Sequence, residues 1–303
     1  METKTLSEYW AEAKGIFTQR RERGKPEFPT GLKFIDDVTD GLHRGEVWIV
    51  AGRSGSGKTS LALQMAHSFS DNPAYSILFL SLEMKGWELV SRMFCEICDV
   101  DYNYLRIGLL PEAYKEKEKW FRDYITKIDM EIVEYGYTFE EVMKLIRSDY
   151  SAKKPDVIFV DFVQLVEWKH FKEQQLALME YVRKMKELAK VNNIGIVVVS
   201  QVRRLPTGAD YNRPPDIIDL LGSGALEQTA DCVLIVYYKQ EEGGEREYFI
   251  KVAKNRHGEL VEKKVCFEGR FYRFREIGTA LGDEVLGEKE QGLIREFNGE
   301  VVE

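Results

Sequence analysis

Residues Gly52-Arg53-Ser54-Gly55-Ser56-Gly57-Lys58-Thr59 satisfy the pattern GxxxxGK[ST] in full. Glycines in such a run let backbone N–H groups turn inward around phosphate oxygens, and a helix opening directly afterwards adds the positive end of its dipole. The flanks supply that setting: 47–51 is an apolar run that reads as a buried strand, and Ser60-Leu61-Ala62-Leu63-Gln64-Met65-Ala66 opens a helical pattern. A glycine-rich turn without a ligand would require neither flank. The chemistry implied is nucleoside triphosphate binding, with Lys58 reaching the terminal phosphates and the Thr59 hydroxyl on Mg²⁺.

Hydrolysis asks for more: a carboxylate at the metal and a group that orients water. Both belong at the carboxyl ends of strands. Residues 157–161 form an apolar run closed by Asp161, the layout in which a carboxylate reaches Mg²⁺ directly or through water. A helix cap is the plainer role for the same residue. The run 77–82 is followed by Glu83, placed to polarise an attacking water, and 195–200 is followed by Gln201, placed to sense a terminal phosphate. For Gln201 a surface turn is the plain alternative.

These residues need a scaffold. Strand candidates lie at 47–51, 77–82, 157–161, 195–200, 232–238, 247–253 and 261–267. The first four are continuous apolar runs, as expected of parallel strands buried on both faces, and they alternate with helical patterns such as 139–151 and 175–191. Short turns at Gly243-Gly244 and His257-Gly258 link the later strands, so an antiparallel extension is expected at one edge. The fold class is α/β, a mainly parallel sheet flanked by helices. Ahead of it, Leu6, Tyr9, Trp10, Ala13, Ile16 and Phe17 recur at helical spacing and predict an amphipathic helix over 6–23, ended by Gly24 and Pro26. Its stripe must be covered either by its own domain or by a neighbouring subunit. Organisation follows as an N-terminal helix in 1–27, a main domain in 28–276, and an acidic, glycine-containing tail in 277–303.

At 303 residues and 44% hydrophobic content, the chain can bury one large core. No apolar run approaches the roughly 20 residues a bilayer span needs, and Met1-Glu2-Thr3-Lys4 lacks a signal-peptide pattern, so a cytoplasmic protein without membrane attachment is expected. Cys95 and Cys98 form a CxxC inside a helical run with no second pair, which reads as core packing; Cys232 and Cys266 sit in strand patterns and carry no motif. The net charge of −8 argues against indiscriminate nucleic-acid binding, yet it leaves room for a phosphate backbone held in one narrow channel. Basic residues cluster at Arg20, Arg21, Arg23 and Lys25; at Arg203, Arg204 and Arg213; at Lys251, Lys254 and Arg256; and at Arg270, Arg273 and Arg275. Taken singly, each cluster reads as a solvated face.

Taken in order, GRSGSGKT, SLEM at 81–84, VDFVQL at 160–165, SQ at 200–201, GSGALEQTAD at 222–231 and KNRHG at 254–258 resemble the motor domain of DnaB-type replicative helicases. The resemblance runs from about Phe28 to Glu276 and takes in PTGLKFIDDVTDGLHRGE at 29–46. It implies a RecA-like ATPase core in a ring, usually of six subunits, with ATP at each subunit interface and single-stranded DNA in the central channel. It places the family's catalytic carboxylate on Glu83, its metal-site aspartate on Asp161 and its phosphate-sensing glutamine on Gln201. The basic finger pair that reaches into the neighbouring subunit's site falls on Lys254 and Arg256. The N-terminal helix is similar to the family's linker helix, which docks on the adjacent subunit and so favours cover by a neighbour.

The chain departs from the pattern in two places. Bacterial members carry a separate N-terminal domain that meets primase and the helicase loader; here only residues 1–25 precede the motor, as in a shortened form or one whose partner functions come from another protein. The channel loop, commonly Arg-Glu-Ser-Gly in the family, reads Leu221-Gly222-Ser223-Gly224. Backbone N–H groups of Gly222, Ser223 and Gly224 are then the expected phosphate contacts, with Arg203, Arg204 and Arg213 in compensation. The implied function is an ATP-driven helicase on single-stranded DNA; the alternative is a regulatory or recombinase-type ATPase of the same fold that assembles on DNA or partners without unwinding.

Overall fold

The computed structural model describes residues 4–134, 141, 154–161, 174–203, 212–220, 228–240 and 244–278. Among them the chain runs α1 (Leu6–Arg23), α2 (Lys33–Thr39), β1 (Val47–Gly52), α3 (Lys58–Ser70), β2 (Ser76–Ser81), α4 (Gly86–Cys98), α5 (Tyr102–Arg106), α6 (Lys115–Ile125) and β3 (Asp129–Glu134). It continues through β4 (Val157–Asp161), α7 (Gln174–Asn192), β5 (Gly195–Gln201), β6 (Cys232–Gln240), β7 (Arg246–Asn255), β8 (Val261–Glu268) and β9 (Arg273–Glu276). The helix expected over 139–151 and most of the tail lie outside the described residues.

The strands make one sheet in the order β3-β2-β4-β5-β1-β6-β7-β8-β9. Pairing is parallel from β3 across to β6 and antiparallel from β6 to β9, as the apolar runs and glycine turns predict. β1, β2 and β4 are buried along their whole length, which is why their sequences do not alternate. Successive side chains still point to opposite faces. Trp48 and Val50 enter a core with Leu61, Met65 and Phe69 of α3 and with Phe79 and Phe159, whereas Val47, Ile49 and Ala51 enter a second core with Tyr181, Val182 and Met185 of α7. Helices thus cover both faces. Burial of each such large side chain is worth roughly 1.5–3 kcal/mol.

Several expectations change. β3 and β9 are not legible as strands in the sequence; each lies at a sheet edge, and β9 buries only Phe274. Cys95 and Cys98 lie on the buried face of α4, as core packing requires, and Cys232 is buried in β6, but Cys266 is exposed on β8. Arg273 and Arg275 are tied to Asp99 and Glu268 and Arg270 approaches Asp101, so this basic cluster fastens the last strand to α4 and α5. α1 begins with a Thr5–Glu8 capping box and ends on Gly24 at φ 66°. None of its residues is buried, and Leu6, Tyr9, Trp10, Ile16 and Phe17 all face solvent, so the described part of the chain does not cover the stripe.

Candidate functional site

The parallel half of the sheet brings the sequence candidates to one edge. Register sets Gly52 level with Gln201, and Ser81 level with Asp161. The phosphate loop after β1, Glu83 after β2, Asp161 closing β4 and Gln201 closing β5 therefore share the carboxyl edge, where open α/β sheets place ligands. Lys58, Thr59, Ser54, Gly55, Gly57, Glu83 and Gln201 line a cleft of about 440 Å³.

The loop is shaped by its glycines. Gly57 precedes α3 at φ 94°, and a Cβ there would sit 2.7 Å from Phe274. A Cβ on Gly52 would meet the Val236 carbonyl at 2.3 Å and Ser56 Oγ at 2.4 Å, so the strand can turn into the loop only without a side chain. Lys58 Nζ donates to the Arg53 carbonyl at 2.9 Å, bridging the loop. Burial pulls the Lys58 ammonium below its ordinary range, and the carboxylates of Asp161 and Glu83 oppose that shift. Arg53 Nη2 reaches the Arg213 carbonyl at 3.0 Å.

Asp161 is 1% exposed, and neither of its carboxylate oxygens finds a well-formed hydrogen bond. Burial pushes its carboxyl up to about 6; the Thr59 hydroxyl and Lys58 hold it back, while Glu83 adds to the rise. A buried carboxylate beside a hydroxyl, with oxygens left over, fits a hard divalent cation that completes its shell with water and phosphate. Among the described residues no group of three or more His, Cys, Asp or Glu side chains converges, so any such ion would depend on Thr59, Asp161 and the ligand itself. Glu83 is exposed toward the cleft. Ser81 Oγ donates to the Met84 carbonyl at 2.6 Å, and the Gly86 N–H to Glu134 at 2.8 Å, which braces the Glu83 turn.

Sequence reasoning missed one wall of the cleft. Arg92 of α4, Phe267 and Tyr272 line it, with the Arg92 guanidinium 4.4 Å from the Tyr272 ring centre. Tyr272 stands at φ 54°, a rare conformation for an aromatic residue. The signal in the sequence is an aromatic amid the 270–275 arginines, legible only once the sheet brings that turn to the loop.

The remaining candidates lie elsewhere. Trp48 is level with Cys232, and Cys232 with Asn255, so Lys254 and Arg256 stand at the amino edge of β1. Gly52 lies four residues further along that strand, roughly 13 Å away. Lys254 and Arg256 cannot serve their own phosphate loop. Arg203 is exposed just beyond β5, and Arg213 pairs with Asp219 at 2.5 Å. Arg204, Gly222, Ser223 and Gly224 lie outside the described residues.

Residues 27–276 match the family described as the DnaB-like helicase C terminal domain. The chain belongs to this family. A probable plasmid replicative DNA helicase of Chlamydia trachomatis is 30% identical over 87% of this chain and 58% of its own length. The replicative DNA helicase DnaB of Helicobacter pylori is 26% identical over 97% of this chain and 59% of its own. This DnaB-like chain thus spans under two thirds of the length of those relatives. In fold it is similar to a separately solved ATPase domain, at TM-score 0.79 and 21% identity, covering 91% of this chain and 100% of that one. A DnaB-like replicative helicase solved in a study of its interactions with primase gives 0.74 at 23% identity, over 82% of this chain and 63% of its own. The architecture is RecA-like, and membership of the DnaB-like helicase family implies nucleotide binding. No helix among the described residues is long and apolar enough to cross a membrane.

Proposed function

We propose that this chain is the ATP-hydrolysing motor of a ring-forming replicative helicase that translocates on single-stranded DNA. The observation that carries the reading is the separation of the two halves of its chemistry. Phosphate loop, Glu83, Asp161 and Gln201 sit on one sheet edge, Lys254 and Arg256 on the other. In this reading a neighbouring copy, stacked against this edge, completes the site.

In this reading the loop N–H groups and Lys58 hold the phosphates of ATP. Thr59 and Asp161 would hold Mg²⁺, which would supply charge neutralisation to the phosphates. Glu83 takes a proton from the attacking water, and Gln201 touches the γ-phosphate and relays its loss to the segment after β5. Arg256 and Lys254 of the next subunit meet the charge that spreads over the transferred group, an effect worth roughly a thousandfold or more. Tyr272 and Arg92 offer a ring and a cation to the base. Residues 1–27 form a linker whose bare stripe docks on the adjacent subunit of a hexamer. Residues 28–276 are the motor and 277–303 a tail, working in the cytoplasm with a primase or loader as partner. Arg203, Arg204, Arg213 and the 222–224 backbone grip DNA phosphates without reading sequence.

ATP turnover with and without single-stranded DNA, run beside unwinding of a forked duplex, tests this. Stimulated turnover with strand separation is expected. Turnover indifferent to DNA, with no unwinding, would replace the motor by a regulatory or recombinase-type assembly ATPase.

A further inference from the structure

Asp231 joins three elements at the amino edge. One carboxylate oxygen accepts from the Val47 N–H at 2.8 Å and from Lys186 Nζ at 2.5 Å; the other accepts from Arg256 Nη1 at 3.0 Å. The backbone closes the same joint, with the Asp231 N–H on the Val47 carbonyl at 2.9 Å and the Arg256 N–H on the Asp231 carbonyl at 2.8 Å. Arg256 Nη2 also donates to the Gln228 carbonyl at 3.1 Å. The turn that carries Arg256 is pinned too, since Asn255 Nδ2 donates to the Val38 carbonyl at 2.8 Å.

Burial differs sharply across the pair. The Asp231 side chain is 3% exposed and that of Arg256 43%. A guanidinium is a planar fork with five N–H donors, so a fixed carboxylate and a fixed carbonyl on its inner side determine the plane in which its outer side faces away from the sheet. Without them an arginine on a turn spreads over many rotamers, and any partner that needs it must order it first.

We propose that Asp231 is a positioning residue for hydrolysis in the neighbouring subunit: its buried carboxylate fixes the direction in which the Arg256 guanidinium leaves the sheet edge. This rests on the reading of Arg256 as a group supplied to the next subunit's site. Asp231 itself touches no nucleotide. The competing role is purely structural, a clamp between β1, α7 and β7 that would act on its own subunit's phosphate loop through Val47.

Asp231→Asn separates the two. Its amide oxygen can still accept from Val47, while its N–H₂ faces Arg256 and cannot hold it. The expected result is a kcat at least about tenfold lower with KM for ATP within about twofold, as for a transition-state contact displaced and not removed. The variant is then titrated with Lys58→Ala subunits, whose loop is inactive but whose Arg256 is intact, and Arg256→Ala is titrated in parallel. Recovery of turnover per Asp231→Asn subunit, matching that of Arg256→Ala, supports action across the interface. Recovery with Arg256→Ala but not with Asp231→Asn overturns the positioning role and leaves the finger reading intact. Recovery in neither overturns both, and wild-type turnover by Asp231→Asn alone overturns the proposal at once. If the single variant fails to fold because the Lys186 ammonium loses its counter-charge, Asp231→Asn/Lys186→Met removes that charge and carries the same titration.

Discussion

The two edges of the sheet hold buried carboxylates under opposite conditions. At the carboxyl edge, Asp161 is buried with both oxygens short of a good hydrogen bond, and Ser56 Oγ in the phosphate loop is likewise unpartnered. At the amino edge, Asp231 is as deeply buried, and its two oxygens take Val47, Lys186 and Arg256. Leaving a buried polar group unpaired costs about 1–3 kcal/mol, more for a charge, so the first arrangement persists only where something else completes it. The second is complete within the chain. In the proposed reading, one edge receives a ligand and the other presents a side chain.

The largest effect should come from emptying the receiving edge of its cation. Lys58→Ala is expected to lower ATP turnover at least about a thousandfold while leaving the thermal midpoint within a few degrees, because the desolvated ammonium contributes little to the nucleotide-free fold. A matching collapse in stability would show that Lys58 is structural. Asp161→Asn should cut turnover by about a hundredfold yet raise the midpoint of the nucleotide-free protein by roughly 2–4 °C, since it removes a deeply buried charge whose oxygens lack a well-formed hydrogen bond.

The same carboxylate gives a pH signature. Its carboxyl titrates at about 6 in the fold against 3.8 for an unperturbed aspartate, so between those values the unfolded chain is ionised while the folded one is protonated. Folding then binds a proton, and the Asp161 contribution to stability falls as pH rises from about 4 to about 6. Cation binding needs the charged form and should weaken below about 6. Subtracting the Asp161→Asn profile from the wild-type one isolates both trends, and a flat difference would contradict the assignment.

At the presenting edge the sign reverses. Lys186→Met takes one cation from a satisfied carboxylate and should cost about 2–4 kcal/mol in urea unfolding. No loss of stability there would erase the contrast between the edges. The smallest effect is at exposed Arg203. Arg203→Ala should lower the slope of log affinity for single-stranded DNA against log salt by about 0.7, read by fluorescence anisotropy; an unchanged slope would remove it from the DNA path.

Much of the carboxyl edge is legible in the sequence because its residues are contiguous or end a strand. The loop octapeptide is a single segment, and Asp161 and Gln201 each close an apolar run buried on both faces. β3 is not legible: in Asp129-Met130-Glu131-Ile132-Val133-Glu134 charges interrupt a half-exposed edge strand that buries only Val133. α6 opens with Lys115-Glu116-Lys117-Glu118-Lys119 and buries Phe121 alone, with Tyr124 packed against the same core, so its apolar residues are confined to its second half and give only a short periodic signal. Asp231 escapes a reading of the sequence because its partners come from distant segments, Val47, Lys186 and Arg256, and no local spacing encodes such a junction.

The central claim, that each ATP is hydrolysed between two copies of the chain, is tested most directly by following molecular mass and ATP turnover together through a dilution series of the unmodified protein. Turnover per chain should fall toward zero as assemblies dissociate to single chains that still bind nucleotide. Turnover per chain that stays constant down to the monomer would contradict it.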